Sequence, residues 1–338
     1  MRYAAPDDPS QEEIAVTGVD TQVPGERRRI DTHTHVVPPE YLGWLKANPD
    51  YPGSLVDWNV ESTLAAMDAK GIATAVLSVS SPGVRWGPGD NPAQVRRLAR
   101  TVNEFCAEVV RQDPGRFGFF ASLALPDLGS SLEEARYALD ELGADGIVLL
   151  GNVDGTYVGS PQWDPLMQLL DERETMLFIH PTALPGPRVE GITSGVVDFL
   201  ADSTRAAVNL VKHDCPRRYP RLRVLLSHGG GYVPYAATRI ASMISRDADE
   251  SEVIDQLRTF YFDTALTGGP YALPSLLAFA EPGHITFGSD WPYEFRPDQS
   301  RQFTERLDSF AMTGEQRQAI GRGNAERLFP RLAQGGPS

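Results

Sequence analysis

Cysteine, net positive charge and long apolar runs are all scarce in this chain, and each shortage closes a class of function. Two cysteines among 338 residues, Cys106 and Cys215, make no disulfide framework. One falls in a helical pattern and the other in a loop before Pro216, so both read as free thiols of a reducing cytoplasm. A formal net charge of −14 argues against general nucleic-acid binding and against an anionic membrane surface. It also means that an anionic substrate needs local positive charge, from a metal or an arginine. No stretch approaches the roughly 18 apolar residues of a spanning helix. Residues 1–28 are polar and acidic, lack the apolar segment of a secretory signal, and predict an extended or poorly ordered N-terminal arm.

What is present suffices for a core: 41% of residues are hydrophobic and 22% charged, the balance of a globular protein. Short apolar runs alternate with helical patterns. The runs Arg29–His33, Thr74–Ser78, Phe117–Ser122, Gly146–Leu150, Met176–His180, Arg223–Ser227, Phe260–Asp263 and Ile285–Gly288 predict strands, apolar on both parities as in a parallel sheet covered on both faces. Val60–Lys70, Pro92–Asp113, Ser131–Leu142, Pro165–Arg173, Asp198–His213, Pro234–Arg246 and Leu273–Ala280 predict helices between them. Eight such repeats are the count of a (β/α)8 TIM barrel. An open doubly wound sheet usually carries a Gly-rich phosphate turn after its first strand; here that strand runs into His35-Val36-Val37-Pro38-Pro39. With no linker visible, residues 29–338 read as one barrel domain. The last helical stretch, Gly314–Leu332, is expected to pack on the barrel or on a partner subunit.

The polar residues collect at strand ends. In Asp31-Thr32-His33-Thr34-His35 two histidines two apart on an extended segment share a side and can reach one cation. His180 ends the fifth strand, His228 the sixth and Asp290 the eighth. All fall at the C-terminal rim, which houses active sites in barrel enzymes. His33, His35, His180 and Asp290 make a plausible set of ligands for one divalent metal ion, Zn²⁺ or another first-row ion. His228 then stands nearby as a proton acceptor. Asp290 could equally cap a helix. Arg239, early in the helix after the sixth strand, could hold a substrate carboxylate or form a surface ion pair. Arg85 and Trp86 could line a pocket for a flat anion, although a solvated loop suits Arg85 better. His213, at a helix end, and His284, at the opposite rim, read as structural.

These segments, Ile30 to His35, Phe178-Ile179-His180-Pro181, Ser227-His228-Gly229-Gly230-Gly231 and Gly288-Ser289-Asp290-Trp291-Pro292, resemble the amidohydrolase-related decarboxylases. The resemblance runs from about Arg29 to Leu332. Gly118 to Leu123, Tyr137 to Gly146 and Leu77 to Gly83 look most like the 6-methylsalicylate branch. The resemblance implies a distorted barrel, dimeric or larger, that uses one divalent metal, commonly Zn²⁺ and sometimes Mn²⁺, to remove CO₂ from a carboxylate substrate. It implies ligand roles for His33, His35, His180 and Asp290, an acid/base role for His228, and a substrate-carboxylate role for Arg239, which some members supply across the dimer. Resorcylate-type members have a glutamate where this chain has Gly231, and a carboxylate in place of His33. The muconate-type enzyme has an arginine between Tyr41 and Val60, where this chain has none. The expectation is a cytoplasmic decarboxylase of a 2-hydroxybenzoate-like acid, with His228 and Asp290 handling the proton. A hydrolase of a lactone, amide or ester on the same ligands is the alternative, and a non-catalytic metal-holding barrel the second.

Overall fold

Eight parallel strands follow one another around a barrel in sequence order: β1 Arg29–His35, β2 Ile72–Ser78, β3 Phe117–Ser122, β4 Gly146–Leu150, β5 Met176–His180, β6 Arg223–Leu226, β7 Tyr261–Asp263 and β8 Ile285–Thr286. The computed structural model describes residues 29–48, 51, 55–187, 189–245, 249–293 and 299–335; the predicted arm over 1–28 lies outside the described residues. β8 returns to β1 through two isolated bridges, Asp31 with Phe287 and Thr34 with Trp291. The Thr32 N–H donates to the Phe287 carbonyl at 2.9 Å and the His35 N–H to the Trp291 carbonyl at 2.6 Å. First and last strands are thus joined at the site-bearing end, as the predicted barrel requires.

Among the described residues each crossover between strands carries a main helix on the outside: α1 Val60–Ala69, α2 Pro92–Gln112, α3 Leu128–Asp140, α4 Asp164–Glu172, α5 Asp198–Lys212, α6 Val233–Ile244 and α7 Leu273–Phe279, with Pro39–Lys46, Cys215–Arg218 and Glu250–Arg258 as additional helices. Helix α2 shows why they form and where they dock. Asn91 caps it by accepting the Ala93 N–H at 2.9 Å, and Pro92 fits the first turn. Val95, Leu98, Ala99, Val102, Cys106 and Val109 recur at helical spacing and are buried against the sheet. Buried Asn103 donates to the Ser122 carbonyl and accepts the Ser122 N–H, pinning the helix to the end of β3. Among the described residues no helix is long and apolar enough to cross a membrane.

Both strand faces are apolar. Leu77, Phe119, Leu177 and Leu226 face the helices, while Ile30, Val76, Phe120, Val148, Phe178 and Leu225 fill the barrel. The second set is joined by Ala325, Leu328, Phe329 and Leu332 from the C-terminal segment, and Phe329 meets Phe120 with ring centroids 5.8 Å apart. The last helical stretch therefore packs on the barrel, as its floor. It is broken into Gly314–Gln318, a π-helical turn Ala319–Gly323, Asn324–Leu328 and a final turn Leu332–Gly335. Each large side chain buried this way stabilises the fold by about 1.5–3 kcal/mol.

β1 contains the feature that makes the site. Asp31 pairs with Ala75 but Thr34 with Leu77, so β1 holds one residue more than β2 in this interval. Such a bulge resets which face later side chains use. Ile30 fills the interior, and the Thr32 hydroxyl meets that of Thr286 at 2.8 Å. Strict alternation from these would turn His33 and His35 outward. The extra residue turns them inward, and β1 runs two residues beyond its predicted end.

Candidate metal centre

The structure brings the predicted ligands together. His33, His35, His180 and Asp290 are all buried and offer one donor atom each, all within 4.8 Å of one another. The Nε2 atoms of His33 and His35 are 3.1 Å apart, and Asp290 Oδ1 lies 3.1 Å from His35 Nε2 and 3.3 Å from His33 Nε2. Donors about 2.0–2.1 Å from one ion at tetrahedral angles stand about 3.3 Å apart. Three imidazoles and a carboxylate at this spacing fit a divalent metal ion. His228 stands beside the cluster, its ring centroid 4.9 Å from that of His33 and 6.0 Å from that of His180.

Each imidazole is oriented through its other nitrogen. His33 Nδ1 lies 2.7 Å from Asp263 Oδ2, His35 Nδ1 3.2 Å from the Ser78 carbonyl, His180 Nδ1 2.8 Å from the Pro181 carbonyl and His228 Nδ1 3.2 Å from the Ala265 carbonyl. With Nδ1–H donated outward, all four rings turn Nε2 to the centre, the orientation a metal-binding histidine needs. Asp263 is the residue that motif reading misses. Its signal was available, since it ends β7 as His180 ends β5.

Two aspartates also hold the backbone. Asp31 Oδ1 accepts the N–H groups of His33 and Ser289, both at 3.0 Å, tying β1 to the segment that carries Asp290. Asp263 Oδ1 accepts those of His228 and Ala265, both at 2.9 Å. Close by, three non-glycine residues take the left-handed conformation: His228 at φ 53°, Leu266 at 55° and Asp290 at 62°. Such backbone costs of order 1–3 kcal/mol each and persists only where surrounding bonds enforce it. Gly288 leaves space for the ligand beneath it, because a Cβ there would stand 2.9 Å from that of His33.

The electrostatics ask for a positive charge at the centre. Burial works against charge on His33, yet the carboxylates of Asp263 and Asp290 outweigh it and push the imidazole up to about 10. Asp290 is held well below the usual carboxylate range, since His33 and His35 overcome the effect of burial. Burial, reinforced by the neighbouring imidazoles, keeps His180 well below its ordinary value, and burial likewise lowers His35 and His228. A divalent ion held by His33, His35, His180 and Asp290 would supply the positive charge that the proton on His33 otherwise provides.

Aromatic rings border the centre: Tyr293 packs on His35 with centroids 5.4 Å apart, Phe178 on His33 at 5.0 Å and Phe199 on His180 at 6.3 Å. Trp86 stacks on Trp44 at 4.2 Å. Arg85 forms an exposed two-pronged pair with Asp154 at 3.1 and 2.9 Å. Arg239 is exposed on α6 and makes no ion pair among the described residues. His213 ends α5 as its C-cap, and His284 stacks on Tyr261 before β8, both away from the cluster as expected.

A closed eight-stranded barrel with convergent imidazole and carboxylate donors at its C-terminal rim defines a metal-dependent barrel enzyme. The chain belongs to the amidohydrolase family, whose profile matches residues 30–331. It is 36% identical over 325 residues to decarboxylase macB of Penicillium terrestre, covering 90% of this chain and 95% of that one. It is 33% identical over 318 residues to the 6-methylsalicylic acid decarboxylase of Penicillium expansum, covering 90% and 97%. A crystal structure of an amidohydrolase II superposes with a TM-score of 0.82 at 32% identity, covering 89% of this chain and 99% of that one.

Proposed function

We propose that this protein is a metal-dependent decarboxylase of a small hydroxyaromatic acid of the 2-hydroxybenzoate type, 6-methylsalicylate being the first candidate. The observation that carries the reading is the buried four-donor cluster with a fourth imidazole, His228, beside it. Two fungal decarboxylases related over nine-tenths of the chain support it. A Cβ at Gly231 would stand 2.1 Å from the Leu200 carbonyl. The glutamate of resorcylate-type members therefore does not fit there, which favours the methylsalicylate pattern.

When bound, a divalent ion, Zn²⁺ first and Mn²⁺ second for a set of three histidines and one aspartate, supplies Lewis-acid polarisation of substrate oxygens. His33, His35, His180 and Asp290 hold it. His228, its Nδ1 engaged by the Ala265 carbonyl and its ring kept neutral by burial, has Nε2 free to take up a proton in the cavity. His228 or Asp290 then delivers the proton to the ring carbon that bears the carboxylate. A ring electron pair forms the new C–H bond. The C–C bond to the carboxylate breaks, its electrons restore the aromatic ring, and CO₂ leaves. Tyr293 and Phe199, packed on the ligand imidazoles, suit a flat ring.

Arg239 holds the substrate carboxylate from across a homodimer in this reading. It lies on one exposed stripe of α6 with Tyr235 and Met243, four residues to either side and 85% and 69% exposed; a second subunit would cover these apolar neighbours. The cytoplasmic assignment rests on Cys106 and Cys215, both free and buried. The test is turnover of salicylate-type acids by protein whose metal content has been measured, following CO₂ and the phenol. His228→Ala should lower kcat by about 10²–10⁴-fold with metal content unchanged. Turnover of lactones with no CO₂ from any aromatic acid would reject the reading.

A further inference from the structure

We propose that Asp263 is a positioning residue whose two carboxylate oxygens have separate duties: Oδ2 sets the tautomer of His33, and Oδ1 sets the backbone that presents His228. The inference rests on the metal-site reading above and adds a residue that neither the motifs nor the donor cluster contains.

Asp263 is fully buried at the end of β7. A neutral imidazole has one N–H. With that N–H on Nδ1 and donated to Oδ2 at 2.7 Å, His33 must turn a bare Nε2 toward His35 and Asp290. The other oxygen accepts two backbone N–H groups, from His228 and Ala265. Ala265 in turn accepts the His228 Nδ1–H through its carbonyl. His228 is therefore gripped at its backbone by Asp263 and at its ring by Ala265, two residues of one strand end, and its left-handed φ of 53° is held from there. One carboxylate links a metal ligand on β1 to the proton-moving residue after β6.

Asp31 offers a matched contrast. It too accepts two backbone N–H groups on one oxygen, from His33 and Ser289, but it orients no imidazole. Asparagine at 263 keeps the shape and can keep its oxygen on the backbone pair. Its amide N–H₂ then faces His33 Nδ1. A donor there makes Nδ1 the acceptor and moves the ring proton to Nε2, where it points at the donor cluster.

The experiment compares the metal-free wild-type chain, Asp263→Asn and Asp31→Asn. Zn²⁺ dissociation constants are measured by chelator competition, and thermal midpoints are measured without metal. Asp263→Asn should weaken Zn²⁺ binding by about 10–100-fold while its midpoint stays close to that of Asp31→Asn, whose affinity should change only a few-fold. Equal affinity in Asp263→Asn and wild type would overturn the proposal. So would equal weakening in both variants, which would make the carboxylate a backbone clamp only. Should Asp263→Asn fail to fold, NMR of the imidazole nitrogens in Zn²⁺-loaded wild type decides: a hydrogen-bonded proton on His33 Nδ1 supports the proposal, and a proton on Nε2 overturns it. A wild-type chain that binds no divalent metal would overturn the metal-site reading and this inference together, whereas an unaffected Asp263→Asn overturns this inference alone.

Discussion

The two ends of the barrel interior are built on opposite principles. The floor is mostly apolar: Ile30, Val76, Phe120, Val148 and Leu225 meet Ala325, Leu328, Phe329 and Leu332, and the buried Asn324 beside them is satisfied by the Pro282 and Ile285 carbonyls. The rim buries four imidazoles and the carboxylates of Asp31, Asp263 and Asp290, with left-handed backbone at His228 and Asp290. Burying charged and polar groups is costly unless each finds a partner, and strained backbone adds to the cost. Only four residues of β1 separate Ile30 from His35, so one strand serves both ends. The floor offsets what the rim spends on chemistry.

If that division is real, substitutions at the two ends have opposite signatures. His180→Ala, at the rim, removes a ligand. Turnover should fall by at least ~10³-fold, the equivalent of several kcal/mol of lost transition-state stabilisation. Metal analysis should show loss of the ion, and chemical denaturation of the metal-free protein little change. Leu328→Ala, at the floor, should cost about 2–5 kcal/mol of folding stability, while the folded variant binds metal as the wild type does. A floor variant that loses metal affinity in proportion to its stability would break the comparison.

A smaller effect sharpens it within the rim's own loops. Asp202 on α5 accepts the Asn152 amide at 2.7 Å and the Thr182 N–H at 2.9 Å, joining the loops after β4 and β5. Burial pushes its carboxyl from 3.8 up to about 6, against the hydrogen bonds from Thr182, Asn152 and Tyr157. A raised carboxyl binds its proton more tightly in the folded state. Its contribution is therefore favourable at low pH and is lost as pH rises from 3.8 through about 6, by up to about 3 kcal/mol. Denaturation across that interval should show this slope, and Asp202→Asn should flatten it. An unchanged slope would place the pH dependence elsewhere.

How much of this was legible in the residues follows the same division. The barrel was, because buried parallel strands are apolar on both parities and their connections are helical. The ligands were, because polar residues ending apolar runs stand out. The bulge in β1 was not: it depends on how many residues β2 places opposite Asp31 to Thr34, a property of the pair and not of either strand. Asp263 was missed because three histidines and Asp290 already filled a ligand set, and its role appears only once β1 and β7 face each other. The floor was half legible. Gly314–Leu332 reads as helical, but its break at the π-turn and the entry of Phe329 into the barrel depend on the space left by Phe120 and Phe178.

The bridges from β8 to β1 have a consequence for biosynthesis. His35 and Asp290, whose donor atoms are 3.1 Å apart, are separated by 255 positions in the chain. A ribosome must deliver the chain past the eighth strand before those atoms can meet. The four-donor set is thus completed last, by a barrel whose first seven staves are already made, and a product truncated before the eighth carries the three histidines but not the carboxylate.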